Sequence, residues 1–208
     1  QSADYATAFQ EWLPLAEQGS ADAQYNLGVM YVAGQGVPKD VAEAIRWYQL
    51  AAKQGAADAQ FNVGIAYRNG LGVIQDAAEA EQWFRLSAEQ GMPVAQFVLG
   101  DMYEYGEGLP QDNAEAEKWY RAAAEQGYAK AQMNLGSMYD NGKAVIQENG
   151  ETVKWEGLGS DQETTGERTM LFSSVSNILK DTVLAHMWWS ISSTNGNPNA
   201  ASLLERIE

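Results

Sequence analysis

Residues 44–76 read AIRWYQLAAKQGAADAQFNVGIAYRNGLGVIQD. Several features of this stretch recur along the chain at a constant step of 36 residues. The recurring residues are Gly19, Gly55, Gly91 and Gly127; Gly28, Gly64, Gly100 and Gly136; Tyr31, Tyr67, Tyr103 and Tyr139; and Trp47, Trp83 and Trp119. Because three residue types keep one register over several copies, the sequence predicts an array of structural repeats.

Each repeat predicts two helices joined by a glycine-rich loop. Apolar residues fall at helical spacing over residues 21–33 and again over residues 41–53. Asp40, with Glu43 three residues on, predicts a capping box: the aspartate accepts from free helix N–H groups and the glutamate reaches back. Gly55 suits the left-handed conformation that closes a helix.

A glycine also stands inside the first helix of every repeat, at Gly28 in the first copy. Glycine in a helix costs about 1 kcal/mol relative to alanine, so its recurrence predicts a close crossing of two helices. A helix pair of this kind buries its apolar face only by stacking on its neighbours. The predicted fold is therefore all-α, a right-handed, curved α/α solenoid with a concave and a convex side.

The pattern in residues 44–76 resembles the Sel1-like repeat family, a subfamily of the tetratricopeptide-like α/α repeats. The resemblance covers residues 5–147 and resumes at residues 181–208. It implies an α/α fold in which the first helix of each pair lines the concave side. It also implies a scaffold that holds other proteins, as in bacterial envelopes, host interaction and eukaryotic quality control.

The last repeat is displaced by 33 residues from its expected position. The register calls for a capping aspartate at position 148 and a closing glycine at position 163, whereas the matching residues are Asp181 and Gly196. Within the extra segment, residues 152–156 and 168–172 predict two short strands of a small β-hairpin. Loops of this length are either functional or disordered, and both readings stay open. The predicted organisation is repeats one to four at 1–147, an insertion at 148–180 and a final repeat with a C-terminal helix at 181–208.

Composition excludes several classes of function. The chain has 208 residues, with 28 acidic against 13 basic side chains and a formal net charge of -15. Such a surface repels phosphate, so neither nucleic acid nor an anionic membrane is expected as a partner. No apolar run approaches the roughly 18 residues of a membrane-spanning helix, so no membrane insertion is expected. With no cysteine and a single histidine, neither a metal site nor a cofactor is expected.

Catalysis is also not expected. His186 and Ser190 stand four residues apart on one predicted helix, but a nucleophile needs a third, orienting group in a shared pocket. One group of acidic residues could attract a cation: Asp101, Glu104 and Glu107, near Asp140. Their spacing does not match a calcium-binding loop, so the sequence favours a solvated acidic face over a cation site.

The best candidates for binding lie on the first helices. Asn26, Asn62 and Asn134 form an interrupted ladder whose amides can bind the backbone of an extended peptide without reading its sequence. The alternative is that these amides bond within or between repeats. Further candidates are the aromatic neighbours Tyr25, Phe61 and Phe97, then Asp101 on the same face, and Trp155, the one tryptophan that the array does not explain.

The expected function is a non-enzymatic scaffold that binds a protein or peptide segment in its concave groove. One alternative is a hydrolase acting on cell walls or β-lactams, although the relatives with that chemistry carry cysteine-bridged repeats. Another is an assembly module that forms a homo-oligomer through the insertion. The expected location is periplasmic or secreted, with the cytoplasm as the alternative; Gln1 fits either a removed secretion signal or a trimmed chain.

Overall fold

The computed structural model describes residues 5–140, 146–148, 151–153, 185, 187–189 and 191–195. Its helices α1 to α8 alternate between two roles: α1, α3, α5 and α7 are termed B helices, and α2, α4, α6 and α8 are termed A helices. Their bounds are α1 Tyr5–Glu17, α2 Ala21–Ala33, α3 Val41–Lys53, α4 Ala57–Asn69, α5 Ala77–Glu89, α6 Pro93–Tyr105, α7 Asn113–Glu125 and α8 Ala129–Asp140.

Two short strands follow the helices. Strand β1 (Ile146–Glu148) pairs antiparallel with β2 (Glu151–Val153). Strand β2 overlaps the start of the strand predicted at residues 152–156, and its partner here is β1. The predicted partner strand at residues 168–172 lies outside the described residues, so that hairpin stays a prediction.

The helices divide between two compact units. The first runs up to Met102 and also includes Gly106–Pro110, and the second consists of Tyr103–Tyr105 and the residues from Gln111 onward. Each unit is built from A and B helices of equal or nearly equal length, which agrees with the predicted helix pairs.

Helices α3, α5 and α7 begin at their predicted aspartate caps. The Asp40 carboxylate accepts a hydrogen bond from the Glu43 backbone N–H at 3.0 Å. The predicted reciprocal bond is wrong, because the Asp40 backbone N–H donates instead to the carbonyl of Tyr31 at 3.0 Å. Glu43 is thereby released to pair with Arg46 at 2.6 Å. The same backbone bond joins Asp76 to Tyr67, so it ties each B helix to the end of the A helix before it.

Glycines close both kinds of helix, as predicted for the B helices. Gly55 follows α3 at φ +94°, and Gly34 caps α2 at φ +68°. Both values lie in the left-handed region that side chains with a Cβ atom rarely adopt.

The predicted close crossings are present. A methyl group at Gly28 would lie 2.5 Å from the ring of Tyr48, and one at Gly64 would lie 2.7 Å from the ring of Phe84. Tyr48 and Phe84 are themselves buried, so the rings cannot move into solvent. Helices α2 and α4 thus present bare backbone to an aromatic ring of the next B helix.

A buried glutamine on every A helix bonds to the B helix before it. The side-chain amide of this residue donates to a carbonyl in the last turn of that B helix. The pairs are Gln24 to Ala16 at 3.0 Å, Gln60 to Ala52 at 3.2 Å, Gln96 to Ala88 at 3.0 Å and Gln132 to Ala124 at 2.9 Å. A second glutamine donates to two of these: Gln54 to Gln24 and Gln90 to Gln60, both at 2.7 Å. These bonds link successive repeats within the first unit.

Residues near position 190 repeat contacts made earlier in the chain. The Trp189 ring packs on Gly136, as Tyr48 packs on Gly28. The Ser192 hydroxyl donates to the Ala129 carbonyl at 2.7 Å, and the Asn195 amide donates to Gln132 at 3.0 Å. Ser87 and Gln90 make the matching bonds two periods earlier in the array, to Ala57 and Gln60. These contacts fit the 33-residue displacement, while the domain boundaries at 148 and 180 stay predictions.

Candidate functional site

The outward side of the A helices in the first unit carries rings and amides at repeating positions. We term this surface the A-helix face; its members Tyr25, Asn26, Phe61, Asn62 and Phe97 are all partly exposed. The same side of α2 exposes apolar surface as well, since Val29 is 36% and Val32 is 40% exposed. The buried stripe of this helix, by contrast, contains Leu27 and Met30. Helix α2 is therefore apolar beyond what its own core contact requires.

The structure brings two of the predicted site residues, Tyr25 and Asn62, into contact. The Asn62 side chain hydrogen-bonds the Tyr25 hydroxyl across neighbouring A helices. The Tyr25 ring also lies 5.6 Å from the ring of Tyr48, measured between centroids. Burial raises the pKa of Tyr25, the nearby charge of Asp58 raises it further, and the Asn62 bond opposes both. An anionic carboxylate thus acts directly on this part of the face.

The next repeat places Phe61 in the same arrangement. Its ring lies 5.5 Å from the ring of Phe84, so the aromatic pair of the previous repeat is kept without its hydroxyl groups. Phe97 and Asp101 are partly exposed on α6.

In the second unit, Asn134 is held by a buried polar cluster. Its amide donates to the Tyr120 hydroxyl at 3.1 Å, and that hydroxyl donates to the Glu104 carboxylate at 2.8 Å. Glu104 is only 8% exposed, so its assignment to a solvated acidic face is wrong. Glu107 is exposed, as expected, and pairs with Arg68. Sequence gave no clear signal for Glu104, because Val32 and Arg68 stand at its position in earlier repeats.

Asn62 and Asn134 therefore hydrogen-bond to residues of other helices, which is the alternative to peptide binding that the sequence left open. An amide has several donor and acceptor positions, so one bond from Asn62 to Tyr25 does not use its full capacity. Asn26 lies at the equivalent position of α2 and is partly exposed. Whether the three amides bind a peptide backbone stays a prediction.

A second polar cluster joins α7 to α8. The Tyr139 hydroxyl donates to the Glu117 carboxylate at 2.8 Å, and Arg121 pairs with the same carboxylate. Burial raises the pKa of Tyr139, and so does the charge of Glu117. Tyr139 and Glu117 are both buried, so this bond lies away from solvent.

Trp155, His186 and Ser190 lie outside the described residues, so their predicted roles have no structural counterpart here. Within the described part of the chain, no three histidine or acidic side chains are grouped in a way that could hold a metal ion. In that same part, every helix is too short or too polar to cross a bilayer.

Paired A and B helices with a repeating glycine–ring contact define an α/α-repeat protein. The family model "Sel1 repeat" matches residues 21–55, 57–92, 93–128, 129–155 and 170–197. The chain belongs to the Sel1 repeat family, which confirms the resemblance seen in residues 44–76. Proteins of this family are typically scaffolds for protein interactions.

Two solved structures show the same fold. A protective antigen of uropathogenic Escherichia coli with an SLR fold is 30% identical, with a TM-score of 0.75 over 98% of this chain and 37% of its own. A Sel1 repeat protein from Oxalobacter formigenes is 29% identical, with a TM-score of 0.73 over 99% of this chain and 50% of its own. The chain thus spans half or less of the length of these two proteins. Their likeness confirms the predicted all-α solenoid class, while a search of curated proteins gave no match.

Proposed function

We propose that this chain is a non-catalytic scaffold that binds a segment of another protein on its A-helix face. The observation that carries the proposal is the row of partly exposed rings at one register of α2, α4 and α6, with a partly exposed amide beside the rings of α2 and α4. Aromatic side chains supply large contact areas, and amides can satisfy the backbone of a bound segment. The family's typical role as an interaction scaffold supports the same reading.

Apolar exposure on α2 adds to this surface. Val29 and Val32 lie one turn apart, and each leaves more than a third of its area in contact with water. Covering such area with a partner's apolar side chains contributes about 25 cal/mol for each Å² removed from water. A bound segment would therefore gain from contact with both the valines and the neighbouring rings.

Site-specific photocrosslinking tests which face binds. A benzophenone amino acid is placed at Val29 or Ile65 on the A helices, and in matched controls at Leu50 or Leu86 on the B helices. The controls are suitable because Leu50 and Leu86 are 43% and 45% exposed and also lie one repeat apart. We expect one protein from the source cells to be crosslinked from both A-helix positions and from neither B-helix position.

Equal crosslinking from both faces, or none from the A helices, would contradict the proposal.

The proposed location, periplasmic or secreted, is separate from the binding role. It is tested by fractionating cells that express the full-length protein with its own leader, if it has one. Recovery in the cytoplasm would select the alternative.

A further inference from the structure

Two groups of four residues at equivalent positions in neighbouring repeats differ in polarity at all four positions. We call each group a junction. We term the first group the polar junction; it consists of Tyr25 on α2, Tyr48 on α3, and Asp58 and Asn62 on α4. Here the Tyr25 ring packs at a tilt on Tyr48, 5.6 Å between centroids, while its hydroxyl bonds to Asn62 and is influenced by the charge of Asp58. Asp58 itself is exposed.

The next junction, which the repeat register assigns to α4, α5 and α6, has no polar side chain at the four equivalent positions. We term it the apolar junction; its equivalent residues are Phe61, Phe84, Val94 and Val98. The Phe61 ring packs at a tilt on Phe84, 5.5 Å between centroids, which is nearly the spacing of the polar pair. Val98 is 7% exposed, while Phe61 and Val94 keep part of their surface in water.

Core packing does not account for this difference. Both ring pairs sit on a glycine of the A helix, Gly28 in one case and Gly64 in the other, at nearly the same close distance. The buried scaffold therefore accepts either set of four residues. What changes is the surface offered to solvent: a carboxylate and an amide at the first junction, and a ring edge and a valine at the second.

The charge of each junction determines which side chain of a bound segment it favours. Asp58 lies on a chain with a net charge of -15, so the polar junction attracts a basic side chain and repels an acidic one. The apolar junction has no charge among its four residues and gains from covering Phe61 and Val94 with aliphatic surface.

We propose that the polar and apolar junctions are adjacent subsites for one extended protein segment, which places a basic side chain in the first and a large aliphatic side chain in the second. This inference rests on the proposed function and specifies its partner. Packed helices lie about 8–10 Å apart and an extended chain advances about 3.3 Å per residue, so the two side chains are about three residues apart.

The test uses fluorescein-labelled peptides about ten residues long in a glycine–serine background, a length an extended chain needs to span two or three helices. One set carries arginine and leucine three positions apart, in either order, and a second set replaces the leucine with another arginine. Binding is followed by fluorescence anisotropy. We expect one arginine–leucine peptide to bind the intact chain at least about fivefold more tightly than its arginine–arginine counterpart, which corresponds to about 1 kcal/mol.

A matched variant exchanges the chemistry of the second subsite. Phe61→Tyr, Phe84→Tyr, Val94→Asp and Val98→Asn together turn the apolar junction into a copy of the polar one, a set that this fold already accommodates. We expect the preference to reverse in favour of the arginine–arginine peptide. Val94→Asp alone is the second variant, with a smaller shift in the same direction, and far-UV circular dichroism monitors folding of both.

Asp58→Asn tests the first subsite, with Asp22→Asn as its control at the same helical position one repeat earlier. We expect Asp58→Asn to weaken binding and reduce its salt dependence more than Asp22→Asn does. An unchanged peptide preference in folded variants, or the absence of binding by either set, would overturn the inference. Crosslinking from Val29 and Ile65 would still support the proposed function in that case, so the two failures are distinguishable.

Discussion

Gly28 of α2 lies so close to the ring of Tyr48 in α3 that a methyl group on the glycine would stand 2.5 Å from the ring carbons. Ordinary contacts between carbon atoms are about 3.5–4.0 Å, so no side chain fits between the two helices at this point. The contact recurs between Gly64 and Phe84, where the methyl group would stand 2.7 Å from the ring.

Substitution of Gly64 by alanine should therefore destabilise the chain. At an exposed helical position this change stabilises by about 1 kcal/mol, because alanine is the better helix former. Here we expect the opposite sign, a loss of about 1–3 kcal/mol, which is the typical cost of overpacking a core. Urea unfolding followed by circular dichroism gives the value.

The control for this prediction is the double variant Gly64→Ala with Phe84→Leu. The smaller side chain leaves room for the methyl group, so the second change should cost less in the alanine background than in the parent. Additive effects of the two substitutions would show that the ring contact does not limit position 64.

Substitution of Gln60 by leucine should cost about 1–2 kcal/mol. Its buried amide donates to the Ala52 carbonyl at 3.2 Å and accepts from Gln90 at 2.7 Å, and leucine replaces neither bond. Gln90→Leu is the matched control: it removes the bond to Gln60 and a 3.3 Å bond to the Leu86 carbonyl, both made by an exposed residue, and it should cost less. Equal losses of unfolding free energy in the two variants would show that the bond from Gln60 to the Ala52 carbonyl adds no stability.

The Tyr48 hydroxyl should make stability fall at alkaline pH. Burial raises the pKa of Tyr48 to about 12, with a smaller contribution from Tyr25. The contribution of this group is fully present below the ordinary tyrosine pKa of about 10 and is lost as pH rises through about 12. Between pH 9 and pH 11, the free energy of unfolding of Tyr48→Phe should therefore fall by about 1 kcal/mol less than that of the parent, since one pKa unit corresponds to about 1.4 kcal/mol.

Phenylalanine is a suitable replacement because Phe84 fills the equivalent place in the next repeat. The two proteins should have similar stability at pH 7, and urea unfolding at several pH values compares them. Parallel curves of unfolding free energy against pH would contradict the role given to Tyr48.

Joint substitution of Asn62 and Asn134 by alanine should weaken partner binding and leave the helical signal intact. The control is Tyr25→Phe, which removes the hydroxyl partner of Asn62 and keeps both amides and the ring. If the amides bind the partner directly, affinity falls much further in the first variant than in the second. Unchanged affinity in the alanine variant would remove the ladder as a binding element.

Periodicity made most of the fold predictable. A step of 36 residues locates α2 and α3 at their observed bounds, because helix starts and ends depend on nearby residues such as Asp40 and Gly55. The same register identifies Gly28 as a crossing point, since glycine inside a helix has a cost that only close packing repays.

Long-range polar bonds were not predictable in this way. The reciprocal half of the capping box was wrong because the Tyr31 carbonyl, nine residues before Asp40, competes for the same backbone N–H. The burial of Glu104 depends on the hydroxyl of Tyr120 in a different helix. A pattern in sequence reports the face on which a residue lies, whereas its partner is decided by tertiary packing.

The glycine–ring contact has a practical consequence for engineering. Twenty positions separate Gly28 from Tyr48, whereas 53 separate Gly136 from Trp189, and both pairs make the contact. The connection between an A helix and its B helix can therefore be lengthened: an epitope or a small reporter placed after Ile74, whose side chain is 90% exposed, should leave the contact between Gly64 and Phe84 in place.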